Sequence, residues 1–297
     1  ATSLIYGDQT VVEYFLPKEV KDKGVISIAR VVHGYRYIHI PEIYGQSLAS
    51  SGACQVNVNC PEGANWQQEK NAVALILVNG VRWCTGSLIN TSANDNRPLF
   101  LTADHCLGGG ANNNVKYDAI TNPNLSHWSF YWHYESPTCL GTTGPILSTV
   151  GATVIANNGS SDFALLQLTE DPKDKNCVMP YYLGWDRSGI VGSGGGVGIH
   201  HPVGDIKKIA TYSMVPAGSN CMDVNFGGHY LPNSNFWKIK WIATPNGHSV
   251  TEGGSSGSPL LNSSRRIIGQ LFGAGDTIKC PNPNCSDPTE DTGNYGK

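Results

Sequence analysis

The 297-residue sequence lacks the features that mark membrane-spanning, disordered and nucleic-acid-binding proteins. Its longest apolar run, AVALILV at residues 72–78, is far too short to cross a bilayer. Only 14% of the residues are charged, the formal net charge is -3, and no run of Lys and Arg exceeds two residues. We therefore predict a globular protein that neither inserts into a membrane nor binds nucleic acid.

The sequence has nine cysteines but no CxxC pair. That spacing argues against a zinc knuckle and favours disulfides formed in an oxidising compartment. The first ten residues, ATSLIYGDQT, have neither the basic start nor the apolar stretch of a signal peptide, so we expect any such segment to have been removed. The adjacent His200 and His201 lack a third ligand at useful spacing. We predict an extracellular monomer without metal or cofactor.

No stretch of the sequence shows an apolar stripe of helical period and length. Instead, 35 Gly and 17 Pro residues separate roughly a dozen short apolar runs. Residues 73–89 predict a hairpin around Asn79-Gly80, and residues 127–134 alternate, which places their aromatic side chains on one face. These patterns predict an all-β chain, most simply a pair of barrels or a sandwich.

Residues 1–50 differ from the rest because they contain β-type runs but no cysteine. A small and polar stretch, YGQSLASSGA at 44–53, comes immediately before the first cysteines. Two interpretations stay open. The segment is either extra strands of the same domain, or a retained pro-segment or small N-terminal β-unit ahead of a domain that covers 51–297.

The stretch TEGGSSGSPL at 251–260 lies between two predicted strands, where a flexible linker is rarely found. The alternative is a tight loop that presents a serine hydroxyl beside free N–H groups. A serine nucleophile needs an imidazole to take its proton and a carboxylate to hold the tautomer of that imidazole. His105 ends the apolar strand in FLTADHC, and Asp162 begins the one in DFALLQL. Alone, Asp162 would be read as a turn-capping residue; with His105 and Ser256 it is a candidate orienting carboxylate.

Chain order distinguishes two classes of serine hydrolase. GGSSG at 253–257 also matches the G-x-S-x-G elbow of α/β-hydrolases, with Ser255 as nucleophile. That fold needs its histidine after the serine, whereas the last histidine here is His248. The order His105, Asp162, Ser256 is instead that of the chymotrypsin-like barrels.

The segments TADHC, SDFALLQL and GSSGSP resemble the three catalytic motifs of trypsin-like serine proteases. CTGSLIN, LGWDR, GIHHP and GSSGSPLL with RRIIGQL resemble the bacterial lysyl endopeptidases, and CQVNVNCPEG resembles the start of their mature chain. The resemblance runs from about residue 52 to the end. It implies two six-stranded antiparallel β-barrels, about 66–175 and about 180–297, with the site in the cleft between them and residues 1–50 as a β extension.

The resemblance also implies a secreted serine endopeptidase that acts on peptides or proteins through an acyl-enzyme. Ser256 would attack the scissile carbonyl, His105 would act as general base and then general acid, and Asp162 would orient it. The backbone N–H groups of Gly254 and Ser256 would form the oxyanion hole. The alternative from another functional class is a catalytically silent, protease-like binding module.

Two residues depart from the trypsin-like pattern. Ser255 occupies the position of the Asp that receives the freed N-terminus on activation, so that switch cannot operate here. Asp104 precedes His105, where a small residue is common. We expect its carboxylate to point to solvent, the commoner arrangement, rather than to raise the pKa of the base.

The resemblance implies a set of disulfides. Its pairings are Cys84 with Cys106, Cys60 with Cys139, Cys54 with Cys280 or Cys285, and Cys177 with Cys221. Because nine is odd, at least one thiol is free or pairs outside this sequence.

The substrate pocket departs from the lysyl endopeptidase pattern. The implied substrate-binding strand is Leu271, Phe272 and Gly273, with Phe272 at the position of the group's histidine. The group's pocket Asp, two residues before Tyr-Gly, is Gly293 here, and Asp291 lies two residues further back. Without a carboxylate the desolvation of a lysine is not offset. We expect an apolar or small P1 residue unless a shifted loop brings Asp291 into the pocket.

Overall fold

The computed structural model describes most of the chain from residue 51 onward and shorter parts before it. The described residues are 2, 5, 9–20, 24–28, 31–32, 51–78, 80, 82–108, 125–141, 147–175, 179–192, 194–226, 229–273, 285 and 292–297.

Within these ranges the regular structure is almost entirely β. In chain order the strands are β1 (Val56–Asn57), β2 (Val73–Val78), β3 (Arg82–Ile89), β4 (Leu99–Ala103), β5 (Ser129–Trp132), β6 (Leu147–Val150), β7 (Ala152–Asn158), β8 (Phe163–Leu168), β9 (Gly196–His200), β10 (Lys208–Tyr212), β11 (Ala217–Gly218), β12 (Val224–Phe226), β13 (His229–Leu231), β14 (Phe236–Lys240), β15 (Pro259–Asn262), β16 (Ile267–Gly273) and β17 (Thr292–Gly296).

These strands form two large antiparallel sheets and a small hairpin. The first sheet has seven strands in the order β6-β5-β2-β3-β4-β8-β7. The second has eight in the order β1-β10-β9-β15-β16-β17-β14-β11, of which β1 and β11 are two-residue strands at its edges. Strands β12 and β13 pair only with each other. The all-β prediction is confirmed, with the two half-barrel sheets that the resemblance implies, although each sheet exceeds six strands.

The helical elements of the described residues are all short 3₁₀ helices. They are Pro61–Trp66, Glu69–Ala72, Asp104–Leu107, Leu125–His127, Pro172–Asp174, Pro202–Gly204 and Asn233–Asn235. None of these is long and apolar enough to cross a membrane.

The predicted central hairpin is formed by β2 and β3, which pair from Val73 opposite Ser87 to Val78 opposite Arg82. Three residues connect the strands, and Gly80 has φ +75°, a conformation that glycine adopts without steric cost. The other residue of the predicted turn, Asn79, lies outside the described ranges. Strand β2 is buried along its whole length, as its uninterrupted apolar sequence indicates.

The predicted aromatic stripe lies in the core of the first sheet. Trp128, Phe130, Trp132 and Tyr134 are all buried, and the Phe130 ring packs edge-to-face on Phe100 at 5.1 Å. Of the residues between them, Ser129 and Tyr131 are buried as well, and Tyr131 joins a second apolar cluster that also contains Tyr134. Apolar packing therefore holds both faces of the sheet that carries the candidate base.

A buried ion cluster joins the first sheet to the second. Glu135, just after β5, accepts from Lys70 Nζ at 2.6 Å and from Lys207 Nζ at 2.9 Å, and Lys207 comes directly before β10. Burial raises the pKa of the Glu135 carboxyl. The positive charges of Lys207 and, to a smaller extent, Lys70 outweigh this effect and lower the pKa to about 2. Because unpaired buried charges are costly, this cluster fixes how the sheets meet.

The described part of residues 1–50, which includes 9–20 and 24–28, contains no strand. Its large apolar side chains are exposed apart from that of Leu16, which is half-buried. Whether the segment is a pro-segment or part of the same domain stays a prediction.

Candidate active site

The imidazole of His105 is carried by a short, pinned turn. The 3₁₀ helix Asp104–Leu107 starts directly after β4. The next residue, Cys106, forms a disulfide with Cys84 of β3. Closing a loop of this length contributes about 3 kcal/mol to stability. The cross-link therefore holds the backbone of the imidazole against the neighbouring strand.

Asp162 receives two hydrogen bonds from His105. Its Oδ2 accepts from His105 Nδ1 at 2.8 Å, and its Oδ1 accepts from the His105 backbone N–H at 2.9 Å. Its own carbonyl oxygen accepts from the Asp104 N–H at 2.9 Å. An ionised carboxylate can only accept, so His105 carries its proton on Nδ1 and leaves Nε2 free to take another. Asp162 has φ +57°, an uncommon backbone conformation that these three bonds hold in place.

The serine loop contacts the same two strands of the first sheet. The Thr85 N–H, next to Cys84, donates to the carbonyl of Ser256 at 2.8 Å. A Cβ added at Gly257 would overlap Thr85 and Thr102 and would lie 2.7 Å from the Ala103 nitrogen. Glycine at 257 therefore permits a close approach of two backbones. These contacts place the Ser256 loop against β3 beside Cys84 and against the end of β4, just before His105.

The amide groups of the serine loop fall into two sets. The Ser255 N–H donates to the Glu252 carbonyl at 3.0 Å, and the Gly257 N–H donates to the Leu271 carbonyl at 2.8 Å. The amides of Gly254 and Ser256 donate to no group among the described residues. Gly254 has φ +93°, a backbone conformation that glycine adopts without steric cost. Two free N–H groups with one residue between them match the pair of donors that an oxyanion hole requires.

Two phenylalanines pack against the imidazole of His105. The ring of Phe272 lies 5.6 Å from it and that of Phe226 lies 5.7 Å from it, both edge-to-face. Phe272 was expected in the substrate-binding strand. Phe226 was missed, because a single aromatic residue in a short hairpin gives no sequence signal for contact with a histidine more than a hundred residues earlier.

The expectation that Asp104 points to solvent is wrong. Its side chain is buried, and its Oδ1 accepts from Asn157 Nδ2 at 2.7 Å. Burial raises the pKa of the Asp104 carboxyl, and the neighbouring charge of Asp162 raises it further. Because β7 supplies Asn157, the partner that makes this burial tolerable comes from a strand the local sequence does not reveal.

Behind the loop, Ser255 forms a pair that sequence reasoning also missed. Its Oγ lies 2.7 Å from Nδ1 of His200, and the Glu252 N–H donates to the same Oγ at 3.2 Å. His200 is fully buried at the end of β9, and this burial lowers its pKa to about 3. His200 is therefore neutral at physiological pH. The next residue, His201, is fully buried as well.

The surroundings of Gly293 are apolar. A Cβ added at this position would lie 3.2 Å from Tyr295 Cε2, 3.5 Å from Leu271 Cδ1 and 3.6 Å from Trp241 Cζ2. The next residue, Asn294, is fully buried and donates to the Gly273 carbonyl at 3.3 Å. Asp291 lies outside the described part of the chain.

Three disulfides join described cysteines. They are Cys84–Cys106, Cys60–Cys139 and Cys54–Cys285. The first two are pairings that the resemblance implies, and the third selects Cys285 rather than Cys280 for Cys54. Cys221 is also disulfide-bonded, but its proposed partner Cys177 lies beyond the described ranges. That pairing stays a prediction.

A family model for the C-terminal domain of lysyl endopeptidase matches residues 48–292. The chain belongs to this family. A lysyl endopeptidase from Pseudomonas aeruginosa is 26% identical over 302 residues, which cover 96% of this chain and 59% of that protein. The chain thus spans well under two thirds of the length of this curated relative.

Solved structures with a similar arrangement are more distant. The Rv3671c protease from M. tuberculosis, in its active form, is 16% identical with a TM-score of 0.46, and the match covers 87% of this chain and 89% of that one. The MamO protease domain from Magnetospirillum magneticum is 13% identical with a TM-score of 0.45, and the match covers 78% of this chain and 94% of that one.

Proposed function

We propose that this lysyl endopeptidase family member is a serine endopeptidase with His105, Asp162 and Ser256 as its catalytic residues. The observation that carries the proposal is the hydrogen-bonded His105–Asp162 pair, 2.8 Å apart, beside a serine loop with two free amides. Each of these features has a structural explanation by itself, but acyl transfer requires them together.

In the proposed mechanism, Ser256 Oγ attacks the scissile carbonyl carbon while Nε2 of His105 accepts the hydroxyl proton. Asp162 stabilises the imidazolium that forms and keeps the ring oriented. The carbonyl oxygen becomes an oxyanion and accepts from the amides of Gly254 and Ser256, and one such donor is worth about 3 kcal/mol in the transition state. His105 then protonates the leaving amine, and the acyl-enzyme is hydrolysed by water through the same steps in reverse order.

We propose that the peptide binds along the end of β16. The N–H and the carbonyl of Leu271 already bond to Ser258 and Gly257, so Phe272 and Gly273 would supply the main-chain hydrogen bonds to an antiparallel peptide strand. The Leu271 carbonyl already accepts from Gly257 N–H, so this strand and the nucleophile loop form one unit. The bound peptide would thereby be held in register with Ser256.

We propose an apolar or small P1 preference, because the residues around Gly293 are Leu271, Trp241 and Tyr295. A substrate ammonium would lose its hydration there without gaining a carboxylate from any described residue. Profiling of the full chain with a peptide library that varies P1 tests this. Strong lysine selectivity that survives Asp291→Asn would overturn the apolar pocket, and lysine selectivity lost in that variant would assign it to Asp291.

We also propose that the protein is secreted. Three disulfides between described cysteines need an oxidising compartment to form and persist. Family membership agrees with that location. Its partners would be peptide or protein substrates.

Labelling with a fluorophosphonate probe tests the nucleophile. We expect the wild-type chain and a control, Ser263→Ala, to be labelled equally, because Ser263 is exposed in a turn away from the loop. Ser256→Ala should lose the label and lower turnover by about 10⁶-fold. Labelling that persists in Ser256→Ala would reject the assignment, and a wild-type protein that neither labels nor cleaves would favour the silent binding module.

A further inference from the structure

The geometry of the oxyanion site depends on how the peptide units from Glu252 to Ser256 are held. In trypsin-like enzymes this is the task of the Asp before the nucleophile, a position that Ser255 occupies here. Ser255 is completely buried, and its Oγ is within hydrogen-bond distance of two groups. What holds the loop must therefore be found behind it rather than at a chain terminus.

The segment 200–203 bonds directly to two residues of the loop, Gly253 and Ser255. Nδ1 of His200 lies 2.7 Å from the Oγ of Ser255. The N–H of Val203 donates to the carbonyl of Gly253 at 2.5 Å. The loop is thus fastened at a side chain and at a backbone carbonyl by residues only three positions apart.

Thr85 links the same segment to the residue between those two. Its Oγ1 accepts from the His201 N–H at 3.1 Å and donates to the carbonyl of Gly254 at 2.9 Å. The peptide unit that follows Gly254 contains the Ser255 N–H, and the next one contains the Ser256 N–H. Holding the carbonyl of 254 and the side chain of 255 therefore sets the directions of the amides that flank them.

We propose that His200 is a positioning residue that anchors Ser255 and so orients the free amides of Gly254 and Ser256 toward the developing oxyanion. This role rests on the proposed serine endopeptidase function. His200 ends β9, an interior strand that pairs with β10 on one side and β15 on the other. Either tautomer of the imidazole keeps the bond, since a serine hydroxyl both donates and accepts.

This anchor explains how the loop can be competent without an inserted N-terminus. A neutral imidazole and a hydroxyl need no counter-ion when they are buried, whereas a buried carboxylate needs a partner such as an ammonium. The site would then form while the segment 1–50 is still attached. The oxyanion geometry is in this way independent of a cut between 44 and 53.

Full-length variants at both ends of the bond test the anchor. His200→Phe and Ser255→Ala should each lower kcat by about 10- to 100-fold with KM changed less than about threefold, because a misplaced donor mainly weakens the transition state. The double variant should be no worse than the poorer single variant, since both remove one bond. His200→Asn, which keeps a polar atom at the Nδ1 position, should recover most of kcat.

The decisive readout is the affinity for a peptide aldehyde that forms a hemiacetal with Ser256. Its affinity should fall by the same factor as kcat in Ser255→Ala, while the affinity for the corresponding product acid stays unchanged. Unchanged kcat and aldehyde affinity in Ser255→Ala would overturn the anchor even if His200→Phe fails to fold. If the wild-type chain cleaves peptides normally, that result overturns only the anchor and leaves the endopeptidase proposal intact. If the wild-type chain is itself inactive, the endopeptidase proposal is rejected.

Discussion

Two histidines lie near the loop that carries Ser256, His105 on what we call its front and His200 on its back, and their environments are opposite. At the front, the side chain of His105 is 15% exposed and is bonded to the carboxylate of Asp162. At the back, His200 is fully buried and is bonded to the hydroxyl of Ser255. The same ring is suited to proton transfer in one place and to anchoring in the other, because its surroundings decide which charge states it can adopt.

The physical difference is the fate of a proton added to each ring. The carboxylate of Asp162 can stabilise an imidazolium as it forms. Burial, together with the positive charge of Lys208, lowers the pKa of His200 to about 3. His200 therefore stays neutral through the physiological range, as an anchor must. Chemical identity alone does not separate a base from a structural residue, whereas desolvation and the bonded partner do.

Among the variants that test the two histidine environments, Asp162→Asn should produce the largest loss of activity. The amide can donate to Nδ1 of His105, which favours the tautomer that cannot accept the serine proton. We expect kcat to fall by about 10⁴-fold while the fold is retained. Steady-state kinetics with thermal unfolding as the folding control measure this. A loss smaller than that of His200→Phe would mean that the front pair is not the catalytic one.

Gly52→Ala tests whether the back of the loop is also held from the N-terminal side. The Gly52 N–H donates to the Glu252 carboxylate at 3.1 Å, and an added Cβ would overlap Cys285 Sγ and lie 2.8 Å from Glu252 Oε1. Displacing Glu252 disturbs the turn that leads to Ser256. We expect kcat/KM to fall about tenfold.

The matched control for this variant is Gly184→Ala, because among the described residues a Cβ there would meet only Arg266 Cγ, at 3.7 Å. It should change neither kcat/KM nor Tm. If Gly52→Ala leaves kcat/KM unchanged, or lowers it no more than Gly184→Ala does, then catalysis does not depend on the contact between Gly52 and Glu252.

His200→Phe should also alter the pH dependence of stability. Folded His200 stays neutral to about pH 3, whereas the unfolded histidine takes up a proton below its usual pKa of 6.5. Unfolding thus binds a proton, so acid lowers the wild-type free energy of unfolding by up to about 1.4 kcal/mol per pH unit from this group. Urea unfolding between pH 7 and 4 should show that the free energy of unfolding falls less steeply with acid in the variant. The difference in slope should correspond to up to one bound proton. Parallel curves would mean that His200 is protonated in the folded chain.

Much of the candidate site could be predicted from local patterns. Motifs around His105, Asp162 and Ser256 each combine a strand end with a turn, and turn chemistry is written in short stretches of sequence. The Gly254 and Gly257 positions follow from the same logic, since only glycine adopts positive φ without steric cost. The all-β class follows from the short apolar runs, which no helical period can explain.

What the sequence by itself determined, then, is the class of fold, the turns and the residue types of the catalytic motifs. Only the tertiary structure decided that Asp104 is buried beside Asn157, that Phe226 packs on His105, and that His200 lies behind Ser255. These contacts join strands far apart in the chain, and their energies come from burial and hydrogen bonding between the partners rather than from any preference of the residues alone.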